Sequence, residues 1–224
     1  MRRVHVLIEG QTEELVLRDL LLPYLEGLQI QASYNILITR RQGSAPAGRG
    51  GVSSWNRIEP MLRHLLRDPT LDRVTTIFDY YAFPSDAPGM RERARQRDPY
   101  SAVRYVETEL AAAIGDRRFV PFLVLHEIEA WVLSSMRAHA EPLALRVAIQ
   151  NMVDQAGGPE LVNGSQQTAP SKRLERLFER HLRRKYLKTT DGPASLRGHS
   201  VEALRADCPH FDQWLTTLTT PEPS

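Results

Sequence analysis

The chain has 224 residues, a formal net charge of +2 and a composition that is 42% hydrophobic and 25% charged. This length can bury a core of its own, so we predict one main domain with appended helices. No apolar run approaches the roughly 20 residues of a membrane span, and the run after Arg2 and Arg3 is too short for a signal peptide. Without such a run, we expect no membrane partner. A single cysteine, Cys208, excludes an internal disulfide, so we expect a reducing cytoplasm.

The first predicted strand ends at an acidic residue. Val4–Ile8 is a short apolar run of the kind that favours a strand, and Glu9 follows it directly. Gly10 permits a sharp turn, and Glu13 suits the positive end of the helix that opens next. Glu9 is therefore predicted at the carboxyl end of a strand, where open α/β sheets gather their ligands.

Further strands and helices follow along the chain. Strands are predicted at Tyr34–Thr39, Arg73–Phe78 and Phe119–Leu125. Helices are predicted at about residues 12–28, 55–67, 100–114, 128–137, 142–156, 171–186 and 211–218. The glycine-rich segment Gln42–Gly51 favours an irregular loop, and Asn163-Gly164 favours a turn.

The alternation of strands and helices with short connections implies an α/β fold with a mostly parallel, four-stranded sheet and flanking helices. No strand pattern follows residue 131. We therefore predict an α/β domain over residues 1–131 and a helical C-terminal extension over residues 132–224.

Acidic residues follow three of the predicted strands. They are Glu9, Asp79 and Glu127, with Glu129 close behind the last. In a parallel sheet these strand ends share one edge, and converging carboxylates need a cation to offset their repulsion. Hard oxygen ligands suit Mg²⁺ or Mn²⁺. Any one of these residues alone is more often a solvated loop residue or a helix cap.

His126 permits two interpretations. A zinc protease helix needs a second histidine four residues after the first, and Ala130 stands there instead, which excludes that class. His126 can contact a metal or a phosphate, or it can be a hydrogen-bonded structural histidine.

A basic stripe is predicted on the helix that Ser171 begins. Its arginines recur at spacings of three and four, which places them on one face. They are Arg173, Arg176, Arg180 and Arg184. Such a stripe can bind a phosphate backbone through charge, although the interleaved Glu175 and Glu179 favour ordinary ion pairs on a solvated face. Lys172, beside the start of the helix, can stabilise charge on a phosphoryl oxygen or be a surface lysine.

Four motifs together resemble a bacterial Toprim-like (topoisomerase–primase) family catalogued as a domain of unknown function. The motifs are Ile8–Glu13, Phe78–Tyr81 together with Phe83-Pro84 and Pro88-Gly89, His126–Ala130 and Ala169–Arg173. The resemblance extends from Val4 to Leu218, and its Toprim portion ends near Trp131. It implies a compact parallel sheet and a metal-dependent phosphoryl-transfer site. It also implies similarity to the nuclease domains of overcoming-lysogenization-defect proteins, which work with an ATPase, and a place in anti-phage or mobile-element systems.

The chain departs from the usual Toprim pattern at one position. That pattern has Asp-x-Asp after the third strand, and Tyr81 replaces the second acid here. Asp86 can substitute only if its loop folds back. Otherwise a second metal depends on Glu127 and Glu129, or one metal is missing.

The resemblance implies catalytic roles for Glu9, Asp79 and Lys172, with metal ligation by Glu9, Asp79, Glu127 and Glu129. Glu13, Tyr81, Asp86, His126 and Arg173 could support the ligands or touch the substrate. The expected function is a Mg²⁺- or Mn²⁺-dependent nuclease or phosphodiesterase acting on nucleic acid, DNA rather than RNA, with a partner ATPase. Two alternatives stay open: a non-catalytic or conditionally active module that binds nucleic acid or a partner, and phosphoryl transfer on a small molecule such as a nucleotide.

Overall fold

The structure is a computed structural model that describes residues 1–37, 54–162 and 169–221. The predicted loop Gln42–Gly51 and the predicted turn Asn163-Gly164 lie outside the described residues. None of the helices in these three ranges is long and apolar enough to cross a membrane.

The predicted α/β fold with a parallel sheet is confirmed. The strands are β1 (Arg2–Ile8), β2 (Ile30–Ile36), β3 (Arg73–Asp79), β4 (Phe119–Val120) and β5 (Leu123–Val124). Their order is β2-β1-β3-β4, and β5 also pairs with β3. The pairs β1–β2, β1–β3 and β3–β4 are all parallel.

Burial along the strands follows their place in the sheet. The last five residues of β1 and the middle five of β3 are buried without alternation, which is typical of strands covered on both faces. In β2, buried or half-buried residues alternate with exposed ones, as expected for a strand with another strand on one side only. The apolar runs that predicted the first and third strands therefore form the centre of the sheet.

The fourth predicted strand, Phe119–Leu125, is interrupted. Pro121 lies between β4 and β5, and proline has no N–H for the ladder. The Thr76 hydroxyl bridges the break: it donates to the Phe122 carbonyl at 2.9 Å and accepts from the Phe122 N–H at 2.9 Å. A side chain thus replaces the missing ladder bond.

The helices agree with the predicted pattern and add two short ones near the C-terminus. They are α1 (Gln11–Val16), α2 (Leu22–Gly27), α3 (Trp55–Leu65), α4 (Pro99–Ile114), α5 (Glu129–His139), α6 (Leu143–Ala156), α7 (Pro170–Leu182), α8 (Asp191–Leu196), α9 (Val201–Asp207) and α10 (Pro209–Thr219). The helix predicted at residues 12–28 contains a π-helical turn, Leu17–Leu21, where the Leu22 N–H donates to the Leu17 carbonyl.

Helix α3 begins and helix α4 ends at residues that suit those positions. The Ser54 side chain accepts from the Asn56 N–H at the start of α3, as a capping serine does. Gly115 ends α4 with a φ of 71°, a left-handed conformation that glycine adopts at no steric cost.

Packing divides the chain into two units, which we name by their content. The sheet unit comprises Met1–Gly10 and Gln29–Leu123, and the helical unit comprises Gln11–Leu28 and Val124–Ser224. The segment Gln11–Leu28 belongs with the C-terminal helices because polar contacts tie it to them. The Arg205 guanidinium donates to the Tyr24 hydroxyl at 3.2 Å. Whether residues 1–131 fold as a domain of their own stays a prediction.

Helix α5 forms the core of the helical unit. Eight of its eleven residues, Glu129 to Met136, are buried, so it is enclosed on all sides rather than along one stripe. Its Trp131 ring meets Phe211 of α10 edge-on, with ring centroids 4.8 Å apart. Residues just before and within the start of α5 are therefore held by a rigid helix.

One arginine organises the loop that leads into β3. The Arg118 guanidinium donates to the carbonyls of Leu66, Asp68 and Leu71, the last two at 2.9 and 3.3 Å. It also pairs with Asp116 at 2.8 Å. Three carbonyls of one loop thus depend on a single side chain.

We expect Arg118→Met to lower the free energy of unfolding by about 1–3 kcal/mol, because carbonyls in partly buried positions lose their donor. Urea unfolding followed by circular dichroism measures the change. Arg97 is exposed, so Arg97→Met is a matched control that should change stability by less than about 0.5 kcal/mol. Equal effects of the two substitutions would contradict the assigned role of Arg118.

Candidate functional site

The sheet unit brings Glu9 and Asp79 to neighbouring positions. Ile8 of β1 is paired with Ile77 of β3, so Glu9, which follows β1, and Asp79, the last residue of β3, lie at the ends of neighbouring strands. Both acidic residues are half-exposed. Their backbones therefore lie next to each other at the carboxyl edge of the parallel sheet, accessible to solvent.

The loop after β3 places Asp86 at the start of α3. The Ser54 hydroxyl donates to one Asp86 carboxylate oxygen at 2.7 Å, and the Trp55 N–H donates to the other at 3.0 Å. The hydrogen bond from Ser54, joined by that from Trp55, lowers the pKa of Asp86 below its ordinary value. Both oxygens thus hold a helix terminus. Tyr81, the residue in place of the usual acid, is 37% exposed.

The helical unit brings Glu127 and Glu129 together around a lysine. The Lys188 ammonium lies 3.6 Å from a Glu127 carboxylate oxygen and 3.4 Å from a Glu129 carboxylate oxygen. The same Glu127 oxygen accepts the backbone N–H of Ser171, in the first turn of α7, at 3.1 Å. The sequence did not predict Lys188 as a site residue, because nothing there distinguishes it from the other basic residues after α7.

Glu129 is the most deeply buried member of this cluster, with 1% of its side chain exposed. Burial raises the pKa of Glu129 to about 7; Lys188 opposes this shift and Glu127 adds to it. Within the described ranges, the second carboxylate oxygen of Glu129 and the buried hydroxyl of Tyr186 have no hydrogen-bond partner. Burial, joined by the charges of Glu129, Asp191 and Glu127, raises the pKa of Tyr186 well above its ordinary value.

His126 turns the chain between β5 and α5. Its φ of +70° is left-handed, a conformation uncommon for residues other than glycine. The side chain is buried, and burial lowers the pKa of His126 to about 4, against a smaller opposing effect of Glu127. The imidazole is therefore neutral at pH 7. Its contact with a metal or a phosphate stays a prediction.

Lys172 is engaged in a local ion pair. Its ammonium lies 2.8 Å from both carboxylate oxygens of Glu175, and 51% of the side chain is exposed. An exposed pair at this spacing contributes little stability, so Lys172 can exchange Glu175 for another anion at small cost.

The predicted basic stripe is shorter than the sequence pattern indicates. Helix α7 ends at Leu182, because Arg183 adopts a left-handed φ of 57°, and Arg184 therefore lies beyond the helix. The Arg184 guanidinium forms two 2.8 Å hydrogen bonds with Asp191 and lies 4.9 Å above the Phe178 ring. It is thus committed to contacts within the protein.

The other predicted site residues differ in exposure. Arg176 and Arg180 are exposed on α7, and Arg173 is half-buried. Glu13 lies buried in the first turn of α1, the position predicted for a partner of the helix dipole. Arg176 and Arg180 are therefore the members of the stripe that lie exposed on α7.

Glu9 and Asp79 belong to the sheet unit, and Glu127 and Glu129 belong to the helical unit. Across residues 1–37, 54–162 and 169–221, no group of three or more His, Cys, Asp or Glu side chains is arranged to hold a metal ion. Glu9 and Asp79 offer the hard oxygen donors that Mg²⁺ and Mn²⁺ prefer. Glu127 and Glu129 fit a metal less well, because an ammonium group already lies between them.

A family comparison covers nearly the whole chain, whereas comparisons with curated proteins and with solved structures give no significant match. The matching family is described as "Domain of unknown function (DUF4276)", and its match spans residues 8–219. That range contains every residue of the two acidic pairs, Lys188 and helix α7. The chain therefore belongs to the family described as Domain of unknown function (DUF4276).

Proposed function

We propose that the protein is a metal-dependent, Toprim-like phosphodiesterase that cleaves nucleic acid. The observation that supports the proposal is the parallel pairing of β1 and β3, whose carboxyl ends carry Glu9 and Asp79 at one edge of the sheet. Ligand sites of open α/β sheets form at this edge. Two half-exposed carboxylates there are the donors that a hard divalent cation requires.

In this proposal Glu9 and Asp79 hold a Mg²⁺ or Mn²⁺ ion. When bound, the ion would supply an activated water and stabilise charge on the oxygens of a phosphodiester. In the helical unit, Lys172 and the exposed Arg176 and Arg180 would offer positive charge to the phosphates of a nucleic acid. DNA is the proposed substrate in preference to RNA.

The resemblance to overcoming-lysogenization-defect nucleases extends the proposal to the cellular setting. We propose that a partner ATPase controls the enzyme in a defence or mobile-element system. Support for this part comes from the four motifs alone, since a shared fold does not assign a function.

Incubation of the pure protein with DNA and Mn²⁺ tests the proposal. We expect cleavage, and we expect Glu9→Gln and Asp79→Asn each to reduce its rate by at least about 100-fold, since even indirect supports of a metal site are worth 10–100-fold. Glu26 is exposed on α2, so Glu26→Gln is a matched control that keeps full activity. Cleavage that survives both substitutions would refute the assignment.

A second candidate is a module that binds nucleic acid or a partner without cleaving, or that cleaves only when activated. It is favoured by the position of Asp86, whose two carboxylate oxygens are engaged at the start of α3, so that it does not restore the acid absent at Tyr81. The same assay separates the candidates. DNA retained by wild-type protein in Mn²⁺ but left intact would favour the second.

A further inference from the structure

We infer that Lys188 takes the place of a divalent cation between Glu127 and Glu129, so that this pair is not a metal site and Lys188 positions both carboxylates. The inference deepens the proposed function and rests on it for one consequence: the enzyme has a single metal centre, at Glu9 and Asp79.

The distances fit an ammonium group rather than a metal. The Lys188 nitrogen lies 3.6 Å from Glu127 and 3.4 Å from Glu129, close enough for ion pairs with both. Mg²⁺ requires oxygen atoms at about 2.0–2.1 Å in an octahedral arrangement. The Glu127 oxygen nearest the lysine also accepts the Ser171 N–H at 3.1 Å, so one of its lone pairs is already engaged.

The burial of the three side chains supports the same assignment. Glu127 and Glu129 have 16% and 1% of their side chains exposed, whereas Lys188 has 44% exposed. The ammonium therefore enters from the solvent side and neutralises a charge that would otherwise be costly to bury. Removing Lys188 would leave the two carboxylates without this compensating charge.

The chain before Lys188 fixes the position of its ammonium. Tyr186 is buried, and its ring meets Phe178 edge-on with centroids 5.1 Å apart. Its hydroxyl lies 2.8 Å from the point where a side chain on Gly192 would begin, so only glycine fits there without movement. Lys188, two residues later, is thus held by a packed anchor rather than by a free loop.

Two buried polar atoms in this cluster form no hydrogen bond with any residue that the structure describes. Among the described residues, the second Glu129 oxygen and the Tyr186 hydroxyl are buried without a hydrogen-bond partner. If the ammonium were removed, Glu127 and Glu129 would present free carboxylate oxygens beside these atoms. A divalent cation should then bind where Lys188 had excluded it.

Mn²⁺ titration of the full-length protein, followed by calorimetry and by electron paramagnetic resonance, tests the inference. The parent carries Glu9→Gln and Asp79→Asn, which remove the proposed metal centre, and we expect it to take up no Mn²⁺. Adding Lys188→Met should create uptake of one equivalent, and adding Glu129→Gln as well should abolish that uptake. Lys172→Met is the matched control in the same parent, because Lys172 pairs with the exposed Glu175, and it should create none.

Two further variants keep the test decisive. Lys188→Gln replaces Lys188→Met if the latter fails to fold, as judged by circular dichroism, and Lys188→Arg retains the charge and should create no uptake. The inference is overturned if the parent binds Mn²⁺ and loses it on Glu129→Gln, or if neither Lys188→Met nor Lys188→Gln creates a site. These titrations contain no nucleic acid, so cleavage that survived the Glu9 and Asp79 substitutions would refute the proposed function without deciding this inference.

Discussion

Replacing Glu160 with alanine is expected to lower the free energy of unfolding by about 3–4 kcal/mol. Glu160 is 1% exposed and lies in the short 3₁₀ turn Pro159–Leu161. Its two carboxylate oxygens accept the N–H groups of His210 and Phe211 at 3.0 and 3.1 Å. These donors belong to the first turn of α10, where a helix has no internal acceptors for them.

The size of the effect follows from two physical terms. Hydrogen bonds from backbone N–H groups to a carboxylate are about twice as strong as neutral ones, and the positive end of the helix dipole favours the charge. Removal of the acid would leave two buried donors unsatisfied, at roughly 1–3 kcal/mol each. Helix α10 carries Phe211, which packs on Trp131, so a loose α10 also weakens the core.

Urea unfolding measures this loss. Glu160→Gln should cost less than alanine, because one amide oxygen can still accept one of the two bonds. Glu202 is exposed on α9, and Glu202→Ala should change stability by less than about 0.5 kcal/mol. A Glu160→Ala variant as stable as wild type would show that α10 does not depend on this carboxylate.

Glu129→Gln is expected to stabilise the protein at pH 8 by up to a few kcal/mol and to have little effect near pH 4. Burial raises the pKa of Glu129 to about 7 from an ordinary value of 4.5. Between these values the folded state keeps a proton that the unfolded state has lost, so stability falls as pH rises through that window. Glutamine resembles the protonated acid and lacks this decline.

The measurement is a series of urea unfolding curves from pH 4 to pH 8, with EDTA present so that no metal contributes. The pKa of His126 is lowered to about 4, so its contribution makes the protein less stable as pH falls. This contribution is the same in wild type and in Glu129→Gln, and it cancels in the difference between them. Glu175→Gln, at an exposed ion pair, should leave the pH profile unchanged. A constant difference between wild type and Glu129→Gln across the series would contradict the raised pKa.

Local patterns in the sequence were enough to predict most of the fold. The apolar runs of β1 and β3 signal strands covered on both faces, and the caps Ser54 and Gly115 fix the ends of two helices. Helix α8 was missed because its six residues include Gly192 and Pro193, which have poor helix propensity. Its N-terminal Asp191 is held instead by Arg184, a partner outside the helix.

Part of the candidate site could also be predicted from the sequence, and part could not. The position of Glu9 and Asp79 at one edge of the sheet could be predicted because Glu9 follows β1, Asp79 ends β3, and these two strands pair in parallel. The contact between Lys188 and Glu129 joins residues 59 positions apart, and no spacing rule connects them. Its geometry depends on the burial of Tyr186 and on the left-handed end of α7, which are properties of the packed helical unit.

The π-helical turn at Leu17–Leu21 has a consequence for sequence comparison and design. A helix turns by about 100° per residue, so the extra residue in this wider turn changes the direction around the axis in which every later side chain points. Excising one residue there would restore an even spiral but rotate Leu25 away from the interior, and aligned relatives should therefore tolerate substitutions in this turn better than deletions.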